Sequence, residues 1–195
     1  MPAYSQRYDA ALALAARAHR AQLRKGTDLP YIAHPVHVAL ILERYGFGEE
    51  LAIAGLLHDV VEDTDVPIER IRDEFGDAVA QLVAAATETK RANGAELPWE
   101  ERKAEKLERL RTSGPEVAAL KAADALHNTR SLIRDLMNEG PAVWARFKRG
   151  PRQSIDYYAA IGAGVRAKLG DHGLAAELDA AVADLRRVAE QIGPG

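Results

Sequence analysis

The chain has 195 residues, 47% hydrophobic and 28% charged, the profile of one soluble globular domain large enough to bury a core. With 26 basic against 29 acidic residues, its net charge of -3 speaks against nucleic acid or an anionic membrane as partner. A small phosphorylated ligand needs only local basic residues and stays open. Cysteine is absent, which excludes disulfides and thiolate metal sites, so any metal must be held by His, Asp or Glu, donors suited to Mn, Fe, Zn or Co. No signal-peptide pattern opens the chain and no apolar run approaches the roughly 20 residues of a membrane span, so a cytoplasmic location is expected.

Leu12, Ala15, Ala16 and His19 at helical spacing predict a first helix over 8–22, with His19 reading as a core residue or one standing behind a ligand. Gly26 and Pro30 then break the pattern into a basic loop, where Arg24 and Lys25 either grip phosphate or a base or are simply solvated. Pro35 starts the next helix and is expected to hold His34 extended at its entrance, a posture suited to a ligand. His37 reads as a surface or packing residue. Helices follow over 36–45, 49–58, 67–75 and 77–87, punctuated by Gly46-Phe47-Gly48 and by Gly76. The polar stretch 87–98, with Asn93-Gly94, reads as a loop and a candidate mobile lid. Beyond it lie a charged amphipathic helix over 99–111, a long one over 116–138, and two more over 154–169 and 173–192. The basic cluster Arg146, Lys148, Arg149 and Arg152 reads as mostly solvated. No useful β-alternation appears, so the expected class is all-α, a helical bundle in one domain over 1–195.

The chemistry concentrates at Leu56-Leu57-His58-Asp59-Val60-Val61-Glu62-Asp63-Thr64-Asp65. On a helix, adjacent side chains sit about 100° apart, so His58 and Asp59 can serve one edge of a cavity. Glu62 shares the face of His58 four residues on, as Asp63 does that of Asp59. Burying this charge beside Leu56, Leu57 and Val60 is costly unless a cation compensates, which points to a metal. The alternatives are a solvated acidic face, a cap of the next helix for Thr64 and Asp65, and a satisfied buried histidine at His58. Asp124 lies at the buried edge of the stripe Val117, Leu120, Ala123 and Leu126, with Asn128 one turn on; His127 and Asn128 read equally as exposed positions.

His34, His58-Asp59 and Asp124 follow the ligand order of the HD superfamily of metal-dependent phosphohydrolases. The form His58-Asp59-x-x-Glu62-Asp63-Thr64 resembles the hydrolase domain of the Rel/Spo family, which removes the 3′-pyrophosphate of (p)ppGpp. Arg24-Lys25 before Pro30-Tyr31-Ile32-Ala33-His34-Pro35, and Lys121-x-x-Asp124-x-x-His127-Asn128-x-Arg130, resemble two further motifs of that family. Because the sequence ends at Gly195, the resemblance is to its stand-alone small hydrolases. The resemblance implies an HD-domain bundle in which His34, His58, Asp59 and Asp124 hold Mn²⁺ and Glu62 and Asp63 position or activate water. It further implies that Arg24 stacks on the base, Lys25 approaches phosphates, and Asn128 and Tyr158 contact the ribose side. The expected partner is the small nucleotide (p)ppGpp, a homo-oligomer being left open. Two rivals stand beside this reading: an HD phosphohydrolase for another nucleotide, such as (p)ppApp or NADPH, and a silent nucleotide-binding module.

Overall fold

A computed structural model describes residues 5–88, 91–92, 95–147 and 149–193. Ten α-helices, one 3₁₀ helix and two two-residue strands make up its elements. The helices are α1 (Gln6–Ala18), α2 (Ala33–Arg44), α3 (Glu49–Leu57), α4 (Val60–Asp63), α5 (Ile68–Phe75), α6 (Asp77–Ala86), α7 (Trp99–Thr112), α8 (Pro115–Glu139), α9 (Pro151–Leu169) and α10 (Gly173–Ile192). The all-α expectation therefore holds for the described residues, with one small addition. Strands β1 (Arg91–Ala92) and β2 (Ala95–Glu96) pair antiparallel inside the stretch expected to be a lid. The intervening Asn-Gly pair is a hairpin signal that a search for longer alternation passes over. Residues 89, 90, 93 and 94 of the expected lid lie outside the described residues.

The centre of the molecule is α3. Leu51, Ala52, Ile53, Ala54, Gly55, Leu56 and Leu57 are all buried. A helix apolar on every side must be surrounded, and α1, α2, α6 and α8 pack around it. Gly55 sets the closest approach: a Cβ there would lie 3.3 Å from the backbone of Ala39 on α2 and 3.0 Å from Leu42 Cδ1. That contact draws the helix carrying His34 against the one that His58 follows.

With its 25 residues, α8 runs about 37 Å and serves two apolar clusters. Ala118 to Leu126 joins the main core, while Leu132 and Leu136 pack with Val143, Trp144, Ile155, Leu185 and Val188 from the 3₁₀ helix Gly140–Arg146, α9 and α10. Pro115 stands at its first turn, where the missing N–H costs no hydrogen bond.

Two boundaries differ from expectation in ways that shape the site. Helix α1 stops at Ala18 because Gln22 and Leu23 are engaged in closing the next loop. Tyr31 N–H donates to Gln22 O at 2.9 Å, Arg24 N–H to Leu29 O at 2.8 Å, and Leu23 bridges Pro30. His34, expected to be extended, instead lies in the first turn of α2, its N–H on Tyr31 O at 2.9 Å. Pro35 tolerates this because a first-turn residue needs no backbone donor.

Candidate metal centre and active site

Four side chains from three places in the sequence converge. His34 comes from the first turn of α2, His58 and Asp59 from the two-residue break between α3 and α4, and Asp124 from the middle of α8. His34 Nε2 lies 3.5 Å from Asp59 Oδ2 and 3.3 Å from Asp124 Oδ1. His58 Nε2 lies 3.1 Å from Asp59 Oδ2 and 3.9 Å from Asp124 Oδ1. His34, His58 and Asp59 form a compact ligand set, which Asp124 borders.

The far sides of both rings are fixed. His58 Nδ1 is 2.8 Å from Gly55 O, so that nitrogen keeps its proton and Nε2 faces inward, where a bound cation would take the place of the second proton. Nε2 itself is buried and has no hydrogen-bond partner. His34 Nδ1 is 2.8 Å from Nδ1 of His127, one nitrogen donating and the other accepting. Burial and then the neighbouring His34 hold His127 down to about 3, so it is neutral and suited to accept. His127, which reads equally as an exposed position in the sequence, is thus part of the centre's support, and exposed His37 stacks on it at 4.7 Å.

The charges do not balance without a cation. Burial opposes ionisation of Asp59 and Asp124, yet the facing imidazoles hold both carboxyls well below the usual range. Burial likewise disfavours the His58 cation, but Asp59 and Asp124 outweigh it and push the imidazole up to about 9. Burial dominates at His34 and lowers it. Two partly buried carboxylates facing two inward-turned imidazole nitrogens fit a divalent cation.

A hydroxyl and an amide brace the carboxylates. Tyr31 donates its hydroxyl to Asp59 Oδ2 at 2.6 Å, and the Asn128 amide donates to Asp124 Oδ1 at 2.6 Å. Tyr31 rests on the buried His19 ring at 4.9 Å; His19 Nδ1 meets Gln22 Oε1 at 2.7 Å, and Gln22 Nε2 donates to Asp63 Oδ2 at 3.3 Å. Glu62 is positioned from the other side: Glu88 N–H donates to its Oε2 at 2.8 Å, and Lys106 Nζ stands 3.6 Å away.

Beside the centre opens a cavity of 310 Å³, to which Arg24, Lys25, Tyr31, Asn128 and Tyr158 all contribute. Arg24 donates to Asn128 Oδ1 at 2.8 Å and lies over the Tyr31 ring. Asn128 thereby links the basic loop to Asp124. Removal from water and nearby Asp124 push the Tyr158 hydroxyl up to about 12, so it is a neutral donor. Lys25 lies over the Phe147 ring.

Sequence reasoning passed over Tyr31, Gln22 and a buried ionic cluster. Glu88, only 2% exposed at its side chain, meets Arg102 at 2.6 Å, Lys103 at 2.7 Å and Lys106 at 3.0 Å. Its members come from the residue after the α6 cap and from α7, so no local spacing announces them.

The HD domain family matches residues 11–155. The chain belongs to the HD-domain family. This HD domain is 36% identical over 148 residues to a GTP pyrophosphokinase of Streptomyces coelicolor, covering 76% of this chain and 16% of that protein. It is 37% identical over 137 residues to the mouse guanosine-3′,5′-bis(diphosphate) 3′-pyrophosphohydrolase, covering 69% of this chain and 72% of that protein. A solved structure described as a metazoan ortholog of SpoT that hydrolyzes ppGpp superposes with a TM-score of 0.78 at 31% identity, covering 97% of this chain and all of that one. The chain thus spans about a sixth of the long relative and most of the compact ones. Among the described residues, no helix is long and apolar enough to cross a membrane.

Proposed function

We propose that this HD domain hydrolyses the 3′-pyrophosphate of (p)ppGpp, the guanosine 3′,5′-bis(diphosphate) giving GDP and its 5′-triphosphate form giving GTP, each with release of pyrophosphate, with Mn²⁺ held by His34, His58, Asp59 and Asp124. The observation that carries it is the cluster of those four side chains, with Glu62 and Asp63 on the adjoining turn, joined through Tyr31 and Asn128 to a basic cavity that both of them line. The hydrolases among its relatives support the choice of substrate, and a substrate of this kind fits an enzyme of the cytoplasm.

In this reading water adds to the phosphorus bonded to O3′, the P–O3′ bond breaks, and the 3′-oxygen leaves with a proton. A bound divalent cation supplies charge neutralisation and lowers the pKa of water. Glu62, oriented by the Glu88 amide, accepts the proton from water, and Asp63, steadied by Gln22, orients that water. Arg24 stacks on the base or lines its pocket, Lys25 offsets phosphate charge, and Asn128 and Tyr158 face the sugar. Tyr31 keeps Asp59 turned toward the histidines.

The test is pyrophosphate release from ppGpp by metal-stripped protein, with and without Mn²⁺. Manganese-dependent formation of GDP is expected. Absence of turnover in protein shown to have bound the metal would overturn the substrate assignment.

A further inference from the structure

We propose that Asp135 reads the base of the substrate and selects guanine over adenine, an inference that rests on the nucleotide-hydrolase reading above. The cavity beside the metal centre is built for an anion: Arg24, Lys25, Arg134 and Arg146 all line it. Among the described residues lining it, Asp135 is the one acid. A carboxylate placed where phosphates bind works against affinity unless it accepts hydrogen bonds from the ligand.

Its position fits the far end of a nucleotide. Asp135 lies 11 residues beyond Asp124 on α8, about three full turns, so the two share a face with Asn128 between them. The rise along the axis is about 16 Å, enough to lay out a phosphate, a sugar and a base in that order. Where Asp124 faces the reacting phosphate and Asn128 the sugar, Asp135 meets the base.

The carboxylate is also held ready. Its side chain is 19% exposed, with Oδ1 3.2 Å from Arg134 and Oδ2 3.3 Å from Arg146 Nη1. Arg146 is steadied by Glu139 and lies across Gly26 of the basic loop. A carboxylate has about four acceptor sites, more than these contacts use. Asp135 beside Arg146 presents acceptors next to a donor. Guanine's pairing edge carries the complement: the acceptor O6 beside two parallel donors, N1–H and N2–H₂. Adenine offers the carboxylate one donor and sets the lone pair of N1 beside it. A site that bonds a ligand donor rejects the analogue lacking it, because the buried acceptor is left unpaired.

The experiment compares wild type with Asp135→Asn and Asp135→Ser. It measures kcat/KM for the guanine, hypoxanthine and adenine 3′,5′-bis(diphosphates), and binding of the same nucleotides to metal-free protein, with folding checked by thermal melting. Wild type should favour guanine, with hypoxanthine, which lacks the 2-amino group, in between. Both variants should lower the guanine-to-adenine ratio roughly 10- to 100-fold, in turnover and in binding alike. A variant that slows all three substrates equally would show that Asp135 only braces Arg146 and would overturn the proposal, as would a wild-type preference for adenine. If wild type hydrolyses none of the three, the hydrolase reading fails, and the metal-free binding ratios alone decide the role of Asp135.

Discussion

Replacing Glu88 with Gln tests how much the buried ionic cluster contributes to stability. Burial works against the Glu88 anion, but Lys106 and Lys103 outweigh it and bring the carboxyl from 4.5 down to about 2. At about 1.36 kcal/mol per pH unit, that difference is worth about 3 kcal/mol of stability near neutrality. Because the folded-state value is the lower one, the contribution is fully present above the unfolded value of 4.5 and is lost as pH falls through about 2. At pH 3, by the same linkage, about 1.5 kcal/mol should remain. Glu88→Gln keeps the shape and removes the charge, so it should lose about 3 kcal/mol at pH 7, or about 6–12 °C in melting temperature for a chain of this size. Urea unfolding of both proteins at pH 7, 5 and 3 is the assay. A variant within 1 kcal/mol of wild type at pH 7, or a deficit undiminished at pH 3, would refute the reasoning.

Asp59→Ala removes the carboxylate that faces both ring nitrogens, and metal binding and activity should vanish while the helical fold persists; full activity in the folded, metal-supplemented variant would sink the mechanism. His127→Phe keeps a ring but deletes the partner of His34 Nδ1, so metal affinity in a chelator competition should fall roughly 10- to 100-fold. Unchanged affinity would mean His34 needs no such support. At Gly26 the backbone has φ of +73°, and a Cβ would collide with the Arg146 side chain at Nε. Gly26→Ala should therefore cost about 1 kcal/mol or more and raise KM through displacement of Arg146, with kcat little changed; an unaltered KM would detach this contact from substrate binding.

The helical class and most helix positions were legible because apolar periodicity and glycine or proline punctuation are local signals. Helix α10 was read at its observed limits, 173–192. The expected ligands are brought within a few ångströms of one another from positions far apart in the chain, a closeness that motif order implied and spacing alone could not. What escaped was long-range. The start of α2 depended on the closure of residues 22–31, and the support of Asp59 depended on a tyrosine that reads as an ordinary loop residue. Glu88 and its three cations looked like a polar loop and a solvated helix face, because an acid's burial depends on partners 14 to 18 positions away. Asp135 and Arg146 reach the cavity only through the fold of the chain's last third.

The four inward-facing side chains also have a topological meaning. They tie together segments 24 and 65 residues apart, from position 34 to 58 and from 59 to 124, in a chain with no cysteine to cross-link it. An ion gripped by all four would act as a removable staple, closing two long loops that the unfolded chain leaves open. At a hundredfold excess over its dissociation constant such a ligand adds about 2.7 kcal/mol to the folded state. The supply of metal would then govern the lifetime of the protein as well as its turnover: molecules stripped by a chelator would open more often, and a protease would find them first.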